Sequence, residues 1–149
     1  MRAVVQRVKE ASCTVNEKIV GKIDKGILLL LAVGNGDDEK DLKYLLDKVL
    51  GLRIFPDEEG KMNLSLEDIE GEILIISQFT LYGDVRKGKR PSFTRSSSPE
   101  LGEKYYKQFI EEVNNRGFKA ETGIFGADMD INLVNDGPVT ILLDSEKIF

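Results

Sequence analysis

Ile73, Leu74, Ile75 and Ile76 form an unbroken run of β-formers inside Glu72–Leu81, EILIISQFTL. Four apolar residues in a row, without alternation, predict a strand buried on both faces, so the rest of the chain must supply cover for each. The run then turns polar at Ser77-Gln78, passes Phe79 and Thr80 and closes on Leu81. A central strand that ends in a hydroxyl, an amide, an aromatic ring and a second hydroxyl can hold its polar end at a crevice where a ligand sits. The blander reading is that Ser, Gln and Thr satisfy loop backbone there.

Several chemistries are excluded outright. The chain has no histidine, so Ser-His-Asp and Cys-His catalysis and His-based zinc sites are impossible. Cys13 is the only cysteine, which rules out an intrachain disulfide and a thiolate metal cluster and fits a reducing cytoplasm. Asp128 and Asp130 could hold magnesium, but acidic pairs in loops are usually solvated, and neither metal nor cofactor is expected. The 149 residues fit one domain over residues 1–149, able to bury a core without staples. No apolar run approaches the ~20 residues of a membrane span, and MRAVVQRVKE lacks the apolar centre of a signal peptide.

A net charge of −5 argues against a protein that coats nucleic acid, DNA included. Yet Val85–Ser98, VRKGKRPSFTRSSS, carries Arg86, Lys87, Lys89, Arg90 and Arg95 without one acid. Such a segment, with Phe93 inside it, can hold phosphates while the ring packs or stacks; alternatively it is a solvated loop. A basic patch on an acidic body suits a partner touched at one place, such as the end of an RNA.

The remaining pattern predicts an α+β domain, or mixed α/β, with two main helices over a largely antiparallel, barrel-like sheet. Strands are expected at Arg2–Lys9, Ala11–Val15, Ile19–Ile23, Ile27–Val33, Phe118–Ile124, Asp130–Val134 and Pro138–Leu143. The first helix should start at Asp37 or Asp38 and run to about Leu50, with Leu42, Leu45, Leu46 and Val49 as its apolar stripe. The second should be capped by Ser98, carry Pro99 at its first position, bury Leu101, Tyr105, Phe109 and Val113, and stop at Gly117. Asn135-Asp136-Gly137-Pro138 reads as a tight turn into the last strand, although a Gly-Pro dipeptide also offers rigid, bare backbone to a ligand.

Taken together, Ser77-Gln78-Phe79-Thr80-Leu81 and Asn135-Asp136-Gly137-Pro138-Val139-Thr140 resemble the two signature motifs of the D-aminoacyl-tRNA deacylase family. The similarity extends through MRAVVQRV, Leu52–Phe55, Met62-Asn63, Arg90–Phe93 and Phe125–Met129. It implies a homodimeric hydrolase that cleaves the ester between a D-amino acid and the 3′-terminal adenosine of tRNA, a proofreading step in translation. On that pattern the Gly137-Pro138 bond is cis and faces Ser77–Leu81 of the partner, with Met129 near the aminoacyl group. Phe125 packs on the adenine, with Leu81 beside it, and Arg86, Lys87, Lys89 and Arg90 approach tRNA phosphates.

A backbone screen of that kind rejects an L side chain by clash while a D side chain points to solvent, so glycine, which has none, should also be cleaved. For the chemistry, Thr80 is one candidate nucleophile, but no base stands near it in sequence. The alternative is positioning: backbone N–H groups around Phe79 and Thr80 hold the oxyanion, and the tRNA's terminal 2′-hydroxyl orients water, with Ser77, Gln78, Phe79 and Thr80 as the candidate catalytic residues. A non-catalytic tRNA-end or nucleotide-binding homodimer, and a purely structural dimer, are the competing readings.

Overall fold

The computed structural model describes residues 1–149. Its longest strands carry the design. β1 (Arg2–Val15) runs unbroken through what the sequence suggested were two strands. One edge of β1 pairs with β3 (Gly26–Ala32) over Arg2–Val8 and with β2 (Lys18–Ile23) over Ala11–Val15; β8 (Asp130–Asp144) also pairs along most of it. All three pairings are antiparallel. The apolar run forms β6 (Glu72–Ser77), with Ile73–Ile76 buried as expected, but both of its neighbours are parallel: β3, and the short β7 (Ala120–Thr122). Parallel neighbours on both sides need crossovers, and the two helices lie in those connections.

The mixed sheet curls almost into a barrel. β2 and β7 meet across the gap, where a Cβ on Gly21 would stand 2.5 Å from the Thr122 carbonyl oxygen. Val8, Ala11, Cys13, Ile23, Leu28, Leu74 and Ile76 fill the inside. A larger core lies between the sheet and the helices and includes Val5, Leu29, Ile73, Ile75, Leu45, Val49, Phe109 and Val113. Thus β6 buries Leu74 and Ile76 inward and Ile73 and Ile75 toward the helices, which is what an uninterrupted apolar strand is for.

Helix α1 (Glu39–Gly51) has Asp38 as its N-cap in a capping box with Asp41. Asp37 instead accepts from the buried Met1 ammonium at 2.7 Å and from the Gly34 amide. Helix α2 (Pro99–Asn115) begins as predicted, with the Ser98 hydroxyl accepting from Leu101 N. A two-stranded ribbon, β4 (Phe55–Pro56) and β5 (Met62–Leu64), lies apart from the main sheet. No helix is long and apolar enough to cross a membrane.

Two expectations are corrected. The strand expected over Phe118–Ile124 shrinks to Ala120–Thr122, because Phe118 still belongs to the helix stop, its amide bonding Val113 O. Asn135–Gly137 is not a turn between strands but a bulge inside the continuous β8. Glu10 faces Val134 while Gln6 faces Thr140, so β8 fits two extra residues against β1. An insertion of two keeps the odd-numbered residues inward, and the same strand serves both cores: Ile131 and Leu133 on the barrel side, Ile141 and Leu143 on the helix side.

Candidate active site

β6 delivers its polar end to a cleft of about 590 Å³ between the sheet edge, the start of α2 and the loop after β7. Gln78 N donates to Leu31 O at 2.8 Å, and the chain then winds into a 3-10 turn, Phe79–Tyr82. Such a turn leaves the amides of its first residues without partners of its own, here those of Phe79 and Thr80, and the Gln78 side chain caps neither. That side chain instead donates from Nε2 to Thr80 Oγ1 at 2.5 Å. An N–H occupying a lone pair of the Thr80 oxygen leaves its own hydrogen to be donated outward and weakens the oxygen as a nucleophile.

Of the residues singled out from sequence, Ser77, Gln78, Phe79, Phe125 and Met129 line this cleft together. Thr80 and Leu81 lie on the turn just beyond it; Leu81 O accepts from Arg2 Nη1 at 3.1 Å. The sequence did not point to Gly102 and Tyr106 of α2, which also form its wall. They follow one another at helical spacing beside the predicted stripe, and that spacing was the available signal. Phe93, noted only as part of the basic segment, stands edge-on to Phe79 with ring centres 5.0 Å apart. Phe79 is itself 56% exposed.

The lining is mostly apolar, and Asp128 is its one charged residue. Burial pushes the Tyr106 hydroxyl well above the ordinary tyrosine range, and burial together with Asp130 raises the Cys13 thiol. With no histidine and these groups held protonated, the turn itself offers hydrogen-bond donors, and Asp128 is the one carboxylate in the cleft lining.

Gly137 and Pro138 are exposed, joined by a cis peptide bond, and line no part of the cleft. Arg7 carries this segment. It is 9% exposed, donates from Nη1 to Ile54 O at 2.6 Å and from Nε to Asp136 O at 3.1 Å, and pairs with the Asp136 carboxylate. The Asn135 side-chain amide ties Arg7 O to Val139 O across the bulge. Gly137 has φ +122°, and a Cβ there would meet Arg7 Nη2 at 2.9 Å, so the position requires glycine.

The basic segment is a small hairpin closed by paired backbone bonds between Asp84 and Ser92. Arg86 is tied to Asp84 at 2.6 Å, and its hydrogen bond holds that carboxyl well below the usual range. Lys87, Lys89 and Arg90 are exposed and make no ion pair.

Comparison with known proteins agrees with this geometry. Residues 4–144 match the family model described as D-Tyr-tRNA(Tyr) deacylase. A D-aminoacyl-tRNA deacylase of Thermosipho africanus is 59% identical over 149 residues, covering all of both chains, and that of Thermotoga petrophila is 60% identical over the same span. Among solved structures, a c-Myc DNA unwinding element binding protein superposes with a TM-score of 0.91 at 41% identity, over 97% of this chain and 98% of that one. A probable eukaryotic D-amino acid tRNA deacylase shares the fold, with a TM-score of 0.81 at 22% identity over 95% and 97% of the two chains. Matched along its whole length, with both motifs at one cleft and one bulge, the chain belongs to the D-aminoacyl-tRNA deacylase family.

Proposed function

We propose that this protein hydrolyses the ester joining a D-amino acid, or glycine, to the 3′-terminal adenosine of tRNA. The observation that carries the reading is the start of the 3-10 turn, where the Phe79 and Thr80 amides lack partners within the turn, beside a cleft of nucleoside size. Water attacks the ester carbonyl, the carbonyl oxygen gains negative charge, and these amides stabilise it. The bond to the ribose 3′-oxygen then breaks, giving free amino acid and tRNA. One such donor is typically worth about 100- to 1000-fold in kcat. No side chain of the 77–81 motif is a base, so the terminal 2′-hydroxyl of the tRNA orients the water. Phe125 packs on the adenine, Leu81 borders it, and Met129 lies near the aminoacyl group.

The chirality screen comes from a second copy. Three outward residues of β8 are apolar: Leu142 is 57% exposed and Val134 44%, and Pro138 lies between them. Phe79, at the cleft mouth, is also exposed. A homodimer that buries this row carries Gly137-Pro138 of one subunit to the cleft of the other. Lys87, Lys89 and Arg90 then approach the acceptor stem, while Arg86 is partly neutralised by Asp84.

The test compares release of the amino acid from D-tyrosyl-tRNA, L-tyrosyl-tRNA and glycyl-tRNA, the last made with a matched glycine tRNA. Cleavage of the D and glycyl esters with the L ester spared is expected. Cleavage of both tyrosyl esters removes the chirality screen, and tRNA binding without turnover leaves a tRNA-end binding homodimer.

A further inference from the structure

Within the cleft just described, and resting on its reading as the site for the tRNA terminal adenosine, we propose that Tyr106 is a positioning residue that sets Phe125 for the adenine and couples it to the reacting end of β6. Tyr106 is 4% exposed, and its hydroxyl donates to Ile75 O at 2.7 Å. Ile75 lies two residues before Ser77, and the same carbonyl accepts the Gly123 amide at 3.3 Å. One oxygen therefore joins α2, the end of β6 and the chain leaving β7.

Beyond Gly123 the chain forms the adenosine side of the cleft. The Phe125 ring rests on the Tyr106 ring, with centres 5.8 Å apart and a tilt of 42°. The Met129 sulfur occupies the space where a Cβ on Gly123 would stand, 2.5 Å away. Shifting Gly123 therefore moves Met129 and Phe125 together. The two parts of Tyr106 act differently. Its ring is the surface against which Phe125 is held, and this governs binding. Its hydroxyl fixes Ile75, and so the distance from Phe125 to the amides of the 3-10 turn.

The experiment measures KM and kcat on D-tyrosyl-tRNA, thermal midpoint, and Kd for a non-hydrolysable probe, the D-tyrosyl amide of 3′-amino-3′-deoxyadenosine. Wild type is compared with Tyr106→Leu and Tyr106→Phe. Tyr106→Leu loses both the ring that holds Phe125 and the hydroxyl, so KM and probe Kd should rise about tenfold and kcat should also fall about fivefold. Tyr106→Phe should keep KM and Kd within about twofold while kcat falls about fivefold. A folded Tyr106→Leu protein with unchanged KM and Kd overturns the proposal, whatever its thermal midpoint. If Tyr106→Leu does not fold, Tyr106→Met takes its place with the same expectation. A wild type that binds the probe but hydrolyses nothing removes the esterase reading alone, and the Kd comparison still decides on Tyr106. A wild type that neither binds nor cleaves overturns both.

Discussion

The hydrogen bond from Gln78 to Thr80 separates the two chemical roles open to that threonine. If Thr80 Oγ1 attacks the ester, its removal must abolish turnover. If the oxyanion is held by backbone, the side chain only helps to shape the turn. We expect Thr80→Ala to keep kcat within about tenfold of wild type in single-turnover assays; a loss of about 1000-fold or more would restore the nucleophile. Arg7 makes the opposite case. It looks like an ordinary basic residue in an alternating strand, yet it is buried because the Ile54 and Asp136 carbonyls and the Asp136 carboxylate converge on it. Arg7→Leu leaves those acceptors unpaired, and we expect a cost of about 2–3 kcal/mol in urea unfolding. It should also reduce the preference for D- over L-tyrosyl-tRNA, because the guanidinium fixes the bulge that carries Gly137.

Among the elements, the bulge in β8 and the 84–92 hairpin show what local sequence can and cannot specify. Asn-Asp-Gly-Pro contains the residues of a turn, and those residues also suit a bulge; only the pairing partner distinguishes them, and that partner, β1, lies at the opposite end of the chain. The burial of Ile73–Ile76 was legible because a strand covered on both faces has no polar alternation, whereas its parallel neighbours were not, since direction is set by the crossovers. Helix α2 was legible in its cap and stripe. Its cleft-facing Tyr106 was not, since a second buried face adds only one more aromatic to an amphipathic pattern. The basic segment shows five cations in sequence, and the structure sorts them: Arg86 and Arg95 are paired with acids, while Lys87, Lys89 and Arg90 are free. Replacing those three by Gln should weaken tRNA binding and flatten the plot of log Kd against log salt by roughly 3 units, at ~0.9 for each duplex phosphate no longer neutralised. Arg86→Gln alone should change the slope by much less.

At the scale of the whole molecule, the cleft and the Gly137-Pro138 bulge are two surfaces of one chain that the fold does not bring together. A composite site across a dimer has a consequence that no single-chain site shares. Consider one variant with Gly137→Val, in which the screen is broken and the cleft intact, and another with Ser77→Phe, in which a bulky ring enters the cleft and the screen is intact. Each homodimer has two defective sites. In a mixed dimer, one site combines the intact cleft with the intact screen, and the other combines both defects. Random assembly of equal amounts makes half the dimers mixed, each with one good site of two, so about a quarter of wild-type D-selective activity should return on co-refolding. Leu142→Arg in both chains would put a charge on the outward row of β8 that the proposed dimer buries and should weaken the dimer at least ~100-fold, abolishing the rescue. Sedimentation velocity checks the assembly, and the excess of D- over L-tyrosyl-tRNA turnover checks the site. If mixing restores nothing while mixed dimers are seen to form, the screen acts within one chain and the cross-subunit arrangement is wrong.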